Sequence, residues 1–245
     1  MLPVLLRLGP LEVSTYGVLV ALGWFLGVRW LVSRRADMDL SENAIWDIVY
    51  WCFGGAFVGG KIMYFLVTPG SFAFTVEALR YGFVFYGGLI GGLAAGFYHA
   101  RRNKLPFLKL ADWCMAALAL GHGIGRLGCL AAGCCYGRHT DLPWGVSMAG
   151  DPSRHPTQVY EAVLNLALFG VLVRFVLPRV ADKRWREGAG LASYVLGYAA
   201  LRFAVEFLRG DDRGAFVLGL SPSQWVALAA AAATAAAIAF RRKPS

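Results

Sequence analysis

The chain has 245 residues, 58% of them hydrophobic, a mean hydropathy of +0.53 and a formal net charge of +9. A soluble domain of this length needs far less apolar surface, so soluble and disordered classes are excluded and an integral membrane protein is implied. The basic excess invites a nucleic-acid reading, which the placement of the charges along the chain removes.

Seven stretches approach the ~20 residues that cross a bilayer core. They are roughly residues 11–33, 44–67, 82–100, 110–130, 157–177, 189–208 and 222–240. The first has no basic region before it and no small-residue cleavage site after it, so it reads as a retained span. Alternate loops and the C-terminal tail hold 14 of the 24 Lys and Arg residues, from Arg34 and Arg35 to Arg241, Arg242 and Lys243. The opposite side holds 7, and Arg29, Lys61 and Arg202 fall within spans. The positive-inside bias puts the N-terminus outside and the C-terminus in the cytoplasm, as an odd number of spans requires. The charge is thus a topology signal rather than a nucleic-acid footprint. The fold class expected is all-α: a polytopic integral membrane protein with seven transmembrane helices. It forms a single domain over 1–245, with an outer-side loop at about 131–156.

Small-residue pairs recur at i, i+4: Gly55 with Gly59, Gly87 with Gly91, Gly88 with Gly92 and Gly92 with Gly96. These read as close helix packing. The polar residues within the spans are concentrated at one end. Tyr16, Lys61, Tyr86, Arg126, Glu161, Arg202, Glu206 and Arg209 all fall within about 10 Å of the outer interface at 1.5 Å per residue. Asp47, Asp112 and Arg174 are the main exceptions. A site opening towards the outer leaflet suits a lipid or an exported protein better than a cytosolic metabolite.

A guanidinium at membrane depth costs several kcal/mol unless it faces a polar cavity, so Arg126 and Arg202 mark a functional site. Tyr198, Arg202, Glu206 and Arg209 follow i, i+4, i+8, i+11 spacing on one helix face. One Glu between arginines orients them and leaves positive charge for a phosphodiester, unless the group is only an ion-pair network joining helices. Arg126 favours the phosphate reading, because it ends a glycine-rich run whose backbone allows close approach. His122, four residues earlier, faces the same way and is either a base or a packed histidine. Cys129, Cys134 and Cys135 have a C-x4-C-C spacing that matches no usual zinc pattern, so packing or a vicinal disulfide is expected and no metal. In Arg154-His155-Pro156-Thr157-Gln158-Val159-Tyr160-Glu161, Pro156 starts a helix and Thr157 suits a cap, while Glu161 stays charged at the membrane.

The chain resembles the prolipoprotein diacylglyceryl transferase family along nearly its whole length. The resemblance rests on Gly9-Pro10 with Tyr16-Gly17, on Gly59-Gly60-Lys61, and on Tyr86-Gly87-Gly88-Leu89-Ile90-Gly91. It continues through Gly125-Arg126-Leu127-Gly128, Gly133, Gly137-Arg138, the Arg154–Glu161 segment and Arg202-x3-Glu206-x2-Arg209. It implies a bacterial inner-membrane enzyme, its site facing the outer leaflet on the periplasmic side, that needs no cofactor or metal. The reaction implied moves the diacylglyceryl group of phosphatidylglycerol to the lipobox cysteine thiol of an exported prolipoprotein signal peptide, releasing glycerol phosphate. By the same resemblance Arg126 and Arg202 clamp the phosphate. Tyr16, Lys61, Arg138 and Glu161 join the substrate-binding set, with Glu206 and Arg209 in support. Three positions depart from the commonest family pattern: Tyr86 for a histidine, Lys61 for an arginine, and Cys129 and Cys134 for Asn and Glu. A branch of the family carries the Gly133-Cys134-Cys135-Tyr136-Gly137 version. With a reference pKa of about 10, Tyr86 is a weak base, so either His122 or Tyr86 takes the histidine's place. Two other functions remain open: the same lipid donor with a different acceptor, or a non-catalytic phospholipid-binding or translocating homologue. A retinal-type receptor is excluded because the seventh span lacks a lysine.

Overall fold

The structure, a computed structural model, describes residues 2–9, 11–68, 82–147, 152–211 and 214–242. It is mostly helical. Its helices are α1 (Thr15–Ser33), α2 (Glu42–Val67), α3 (Phe85–Arg102), α4 (Phe107–Ala132), α5 (Thr157–Ala181), α6 (Ala189–Glu206) and α7 (Pro222–Arg242). A helix therefore occupies each of the seven stretches expected. Five of them (α1, α2, α4, α5 and α7) are long and apolar enough to cross a membrane, which makes this a membrane protein. The other two, α3 and α6, have 18 residues each. Glycines and a basic last turn dilute the apolar content of α3, and α6 carries Arg202 and Glu206.

The first expected stretch begins differently. Residues Leu11–Ser14 are a strand paired antiparallel with Val4–Leu8, with Arg7 opposite Glu12 and ion-paired to it at 3.0 Å. Gly9, at φ +60, makes the turn that a side chain would strain. The Ser14 hydroxyl accepts the Gly17 amide at 3.1 Å, so α1 starts only after a serine cap.

Contacts divide the chain into two compact units, one of Met1–Trp30 with Ala111–Ser245, the other of Leu31–Leu110. In the Leu31–Leu110 unit, α2 and α3 run antiparallel along their glycines. A Cβ added to Gly55 would lie 2.5 Å from the Gly91 carbonyl oxygen, and one on Gly59 would lie 2.8 Å from the Gly91 Cα. That contact explains the small-residue spacing, because only bare backbone allows it. Ser41 caps α2 through the Ala44 amide at 3.2 Å, and Ile45 and Ile48 are buried, as is Met38 in the preceding 3-10 turn.

In the larger unit, Gly23 and Gly27 of α1 press on the backbone of Gly121 and Ala117 of α4, at 2.6 Å and 2.9 Å for an added Cβ. Trp30, Trp113 and Phe169 form an aromatic cluster, with ring centroids 6.0 Å and 5.3 Å apart. The buried Asp112 carboxylate accepts the Gly188 and Leu191 amides at 2.7 Å and 2.8 Å, which holds the start of α6 against α4. Within α5, Leu172–Val176 is a π-helical turn. Pro178 has no N–H to offer the Arg174 carbonyl four residues back, so the ladder widens there.

Candidate active site

Glu161 is the centre of the site. It sits one turn into α5, its side chain fully buried, and three guanidiniums converge on it from α4, α6 and the turn after α6. Its Oε2 takes Arg126 Nη2 at 2.8 Å, while Oε1 takes Arg202 Nη1 at 3.4 Å and Arg209 Nη1 at 3.2 Å. Arg202 also pairs with Glu206 at 2.5 Å, one turn along α6, and Arg209 makes a two-pronged pair with Asp211 at 2.8 Å and 2.7 Å.

This balance corrects the charge argument drawn from sequence. Three arginines are met by three carboxylates, Glu161, Glu206 and Asp211, so the group is formally neutral. The i+11 placement of Arg209 also changes. The α6 helix ends at Glu206, and Arg209 lies in the following turn, bridged to Gly137. Thr157 does not cap α5 either: its hydroxyl donates to the Cys135 carbonyl at 2.8 Å.

Exposure separates the three arginines. Their side chains are 15%, 9% and 2% accessible for Arg126, Arg202 and Arg209. Arg209, saturated by two carboxylates, holds the network, whereas Arg126 presents the most surface to an incoming group. Arg126 Nε donates to His122 Nε2 at 3.2 Å, which requires that nitrogen to be unprotonated and the imidazole neutral. The His122 ring lies 5.2 Å from that of Tyr198.

Hydroxyls at the head of α7 reach Glu206 and Arg202. Ser221 donates to Glu206 Oε1 at 2.7 Å and Ser223 accepts from Arg202 Nη2 at 3.2 Å. The Ser221 amide donates to Gln224 Oε1 at 3.0 Å and the Gln224 amide to Ser221 Oγ at 3.3 Å, a reciprocal capping box at the head of α7. Sequence reasoning missed Ser221, Ser223 and Asp211. The Ser221-Pro222-Ser223-Gln224 run, a cap followed by a first-turn proline, was the signal available for the serines.

The remaining candidates fall as follows. Tyr16 packs over Gly128, whose added Cβ would lie 3.2 Å from the ring. Arg138 gives its backbone, its amide donating to the Leu208 carbonyl at 2.9 Å, while its side chain is exposed and makes no ion pair among the described residues. Lys61 and Tyr86 belong to the Leu31–Leu110 unit. Lys61 is buried in α2, its ammonium 6.0 Å from the Phe57 ring centre, and Tyr86 is exposed in the first turn of α3. Above the arginines, Trp144 donates to the Tyr160 hydroxyl at 2.8 Å and Arg154 stacks on Tyr136 at 4.7 Å. The Cys135 thiol is drawn down to about 6 by a hydrogen bond from Cys129 and by the charges of Arg209 and Arg126.

A model of the family described as prolipoprotein diacylglyceryl transferase matches residues 3–240. The chain belongs to the prolipoprotein diacylglyceryl transferase family. Among curated members named phosphatidylglycerol–prolipoprotein diacylglyceryl transferase, that of Clostridium tetani is 35% identical, with 93% of each chain covered. That of Geobacter sulfurreducens is 36% identical over 86% of this chain and 83% of its own. The Photobacterium profundum protein is 35% identical over 86% of this chain and 81% of its own. In this transferase family member, three of the segments that carried the resemblance build the arginine network: the ends of α4 and α6 and the start of α5.

Proposed function

We propose that this chain transfers the diacylglyceryl group of phosphatidylglycerol to the lipobox cysteine thiol of prolipoprotein signal peptides and releases glycerol phosphate. The observation that carries this reading is the convergence of Arg126 and Arg202 on the buried Glu161 in a chain of this family. A sulfur–carbon bond forms as the carbon–oxygen bond to the phosphate breaks, so negative charge collects on the departing phosphate. Forked guanidiniums held in place beforehand stabilise that charge without reorganising. Glu161 competes with the phosphate for the same donors, and it fixes their orientation between turnovers.

Arg126 and Arg202 form the phosphate clamp. Tyr16, Lys61, Arg138 and Glu161 complete the substrate-binding set, supported by Glu206 and Arg209. His122 or Tyr86 removes the thiol proton. His122 is neutral as the acceptor of Arg126 and orients the guanidinium, and it takes the thiol proton on Nε2 once Arg126 turns from it to the phosphate. The reading takes the chain as a single transferase domain of seven spans in the bacterial inner membrane. Its N-terminus is outside, its C-terminus is cytoplasmic and its site faces the outer leaflet.

The test uses the purified chain in detergent with phosphatidylglycerol and a lipobox peptide. Glycerol phosphate and peptide mass are followed together, with Arg126→Ala as control. Peptide mass gain that disappears in the variant supports the transferase. Headgroup release with no gain in peptide mass points to another acceptor. Lipid binding with neither product identifies a non-catalytic homologue.

A further inference from the structure

The three outer cysteines stand beside the arginine network without being part of it. Their Sγ atoms lie within 4.8 Å of one another, Cys129 from the last turn of α4, Cys134 and Cys135 from the turn that follows. All are thiols rather than disulfide sulfurs. The chain reverses at Gly133, φ +71, and Cys135 itself is left-handed at φ +65, a conformation that L side chains adopt only where surroundings enforce it. Those surroundings are identifiable. The Cys134 amide donates to the Cys129 carbonyl at 3.1 Å, Gln158 Nε2 to the Cys134 carbonyl at 2.6 Å, and Thr157 Oγ1 to the Cys135 carbonyl at 2.8 Å. Gln158 and Thr157 are both fully buried. Two buried side chains therefore fix the backbone of both loop cysteines, the kind of outer support that orients metal ligands.

We propose that Cys129, Cys134 and Cys135 form a three-thiolate site for a thiophilic d10 cation, Zn2+ or Cu+, at the outer end of α4. Metal–sulfur bonds of about 2.3 Å set sulfurs roughly 3.8 Å apart in tetrahedral geometry, which the three reach by closing about an ångström. Soft thiolates select such ions over Mg2+ or Ca2+. A trithiolate complex carries net negative charge, and it would sit beside the guanidinium network rather than beside the carboxylates alone. The site lacks a sequence signature because Cys134 and Cys135 are adjacent, whereas zinc patterns space their cysteines. It stands independently of the transfer reaction.

The test takes the full-length chain in detergent, reduced and stripped with a chelator, and titrates it with Cd2+ as a spectroscopic stand-in for Zn2+. A sulfur-to-cadmium ultraviolet band saturating at one ion per chain is expected. The band should persist in the Cys52→Ser/Cys114→Ser double variant and vanish in Cys129→Ser and in Cys134→Ser. Cys134 is exposed, so Cys134→Ser should keep the wild-type elution profile and separate ligand loss from misfolding. Competition with Zn2+ and with Cu+ under a cuprous chelator then decides between the two ions. No band, with thiol-reagent reactivity unchanged by Cd2+, Zn2+ or Cu+, overturns the site.

Discussion

Glu161 meets Arg126 at 2.8 Å from the start of α5, and the same carboxylate holds Arg202 and Arg209 through its other oxygen. One side chain thus compensates guanidiniums from three chain segments. Removing it takes the carboxylate from Arg126, while Arg202 keeps Glu206 and Arg209 keeps Asp211; breaking a buried pair in this way costs about 3–5 kcal/mol. Glu161→Ala is therefore expected to lower the thermal midpoint in detergent sharply. Asp211→Asn should cost far less, since Asp211 is partly accessible and Arg209 keeps its bond to Glu161. Equal losses in the two variants would contradict the central position given to Glu161.

Arg126 and Arg209 differ in what they leave available. Arg126→Lys keeps a charge but loses the fork, so the phosphate loses directed donors at the moment charge develops. Transfer is expected to fall by roughly 100- to 1,000-fold with the melting curve little changed. Arg209→Lys should show the opposite pattern, with stability falling first, because a lysine cannot satisfy both Glu161 and Asp211. Parallel rate and unfolding measurements on both variants check the division.

His122 touches Arg126 through Nε2, so its removal acts on the clamp even if it moves no proton. His122→Ala should reduce transfer, and His122→Asn should restore part of it if orientation alone matters, because the amide oxygen can still accept. Tyr86→Phe tests the other candidate base. Full activity in both His122→Ala and Tyr86→Phe would remove both from the proton transfer.

Much of this was legible in the sequence, and for physical reasons. Spans follow from apolar length, and the glycine pairs at i, i+4 did mark the α2–α3 contact, since close backbone approach demands them. Arg126, Glu161, Arg202 and Glu206 were visible because charge at membrane depth is costly and so stands out. What the sequence hid was pairing across distance. Asp211 lies in a loop, and nothing in its sequence neighbours says that it neutralises Arg209. The strand Leu11–Ser14 fell inside the first apolar stretch, because hydropathy does not distinguish a strand from a helix end. The thiol cluster depends on a left-handed residue at Cys135, which local sequence does not announce.

The α2–α3 contact gives a stability prediction away from the site. A methyl on Gly59 would lie 2.8 Å from the Gly91 Cα, and the Gly87 carbonyl is nearer still. Backbone cannot move aside as a side chain can, so the helices must separate. Gly59→Ala is expected to destabilise by about 1–3 kcal/mol. Gly54→Ala, where an added Cβ meets nothing within 4 Å, should cost nothing or add helix propensity. Thermal unfolding of the pair in one detergent checks this, and equal behaviour would mean that the glycines are not a packing requirement.

Ser221 links a helix cap to the site, so its loss should register in both stability and rate. Its hydroxyl caps α7 through the Gln224 amide at 3.3 Å and donates to the buried Glu206 at 2.7 Å. Loss of the cap costs about 1 kcal/mol. A buried carboxylate deprived of a donor adds about 1–3 kcal/mol. Ser221→Ala should therefore lower stability by more than a cap alone explains, and it should also slow transfer, because Glu206 then orients Arg202 less well. Ser221→Thr keeps the hydroxyl and should recover most of both. A Ser221→Ala variant that loses stability with an unchanged rate would separate the cap from the site, leaving Glu206 fixed by Arg202 alone.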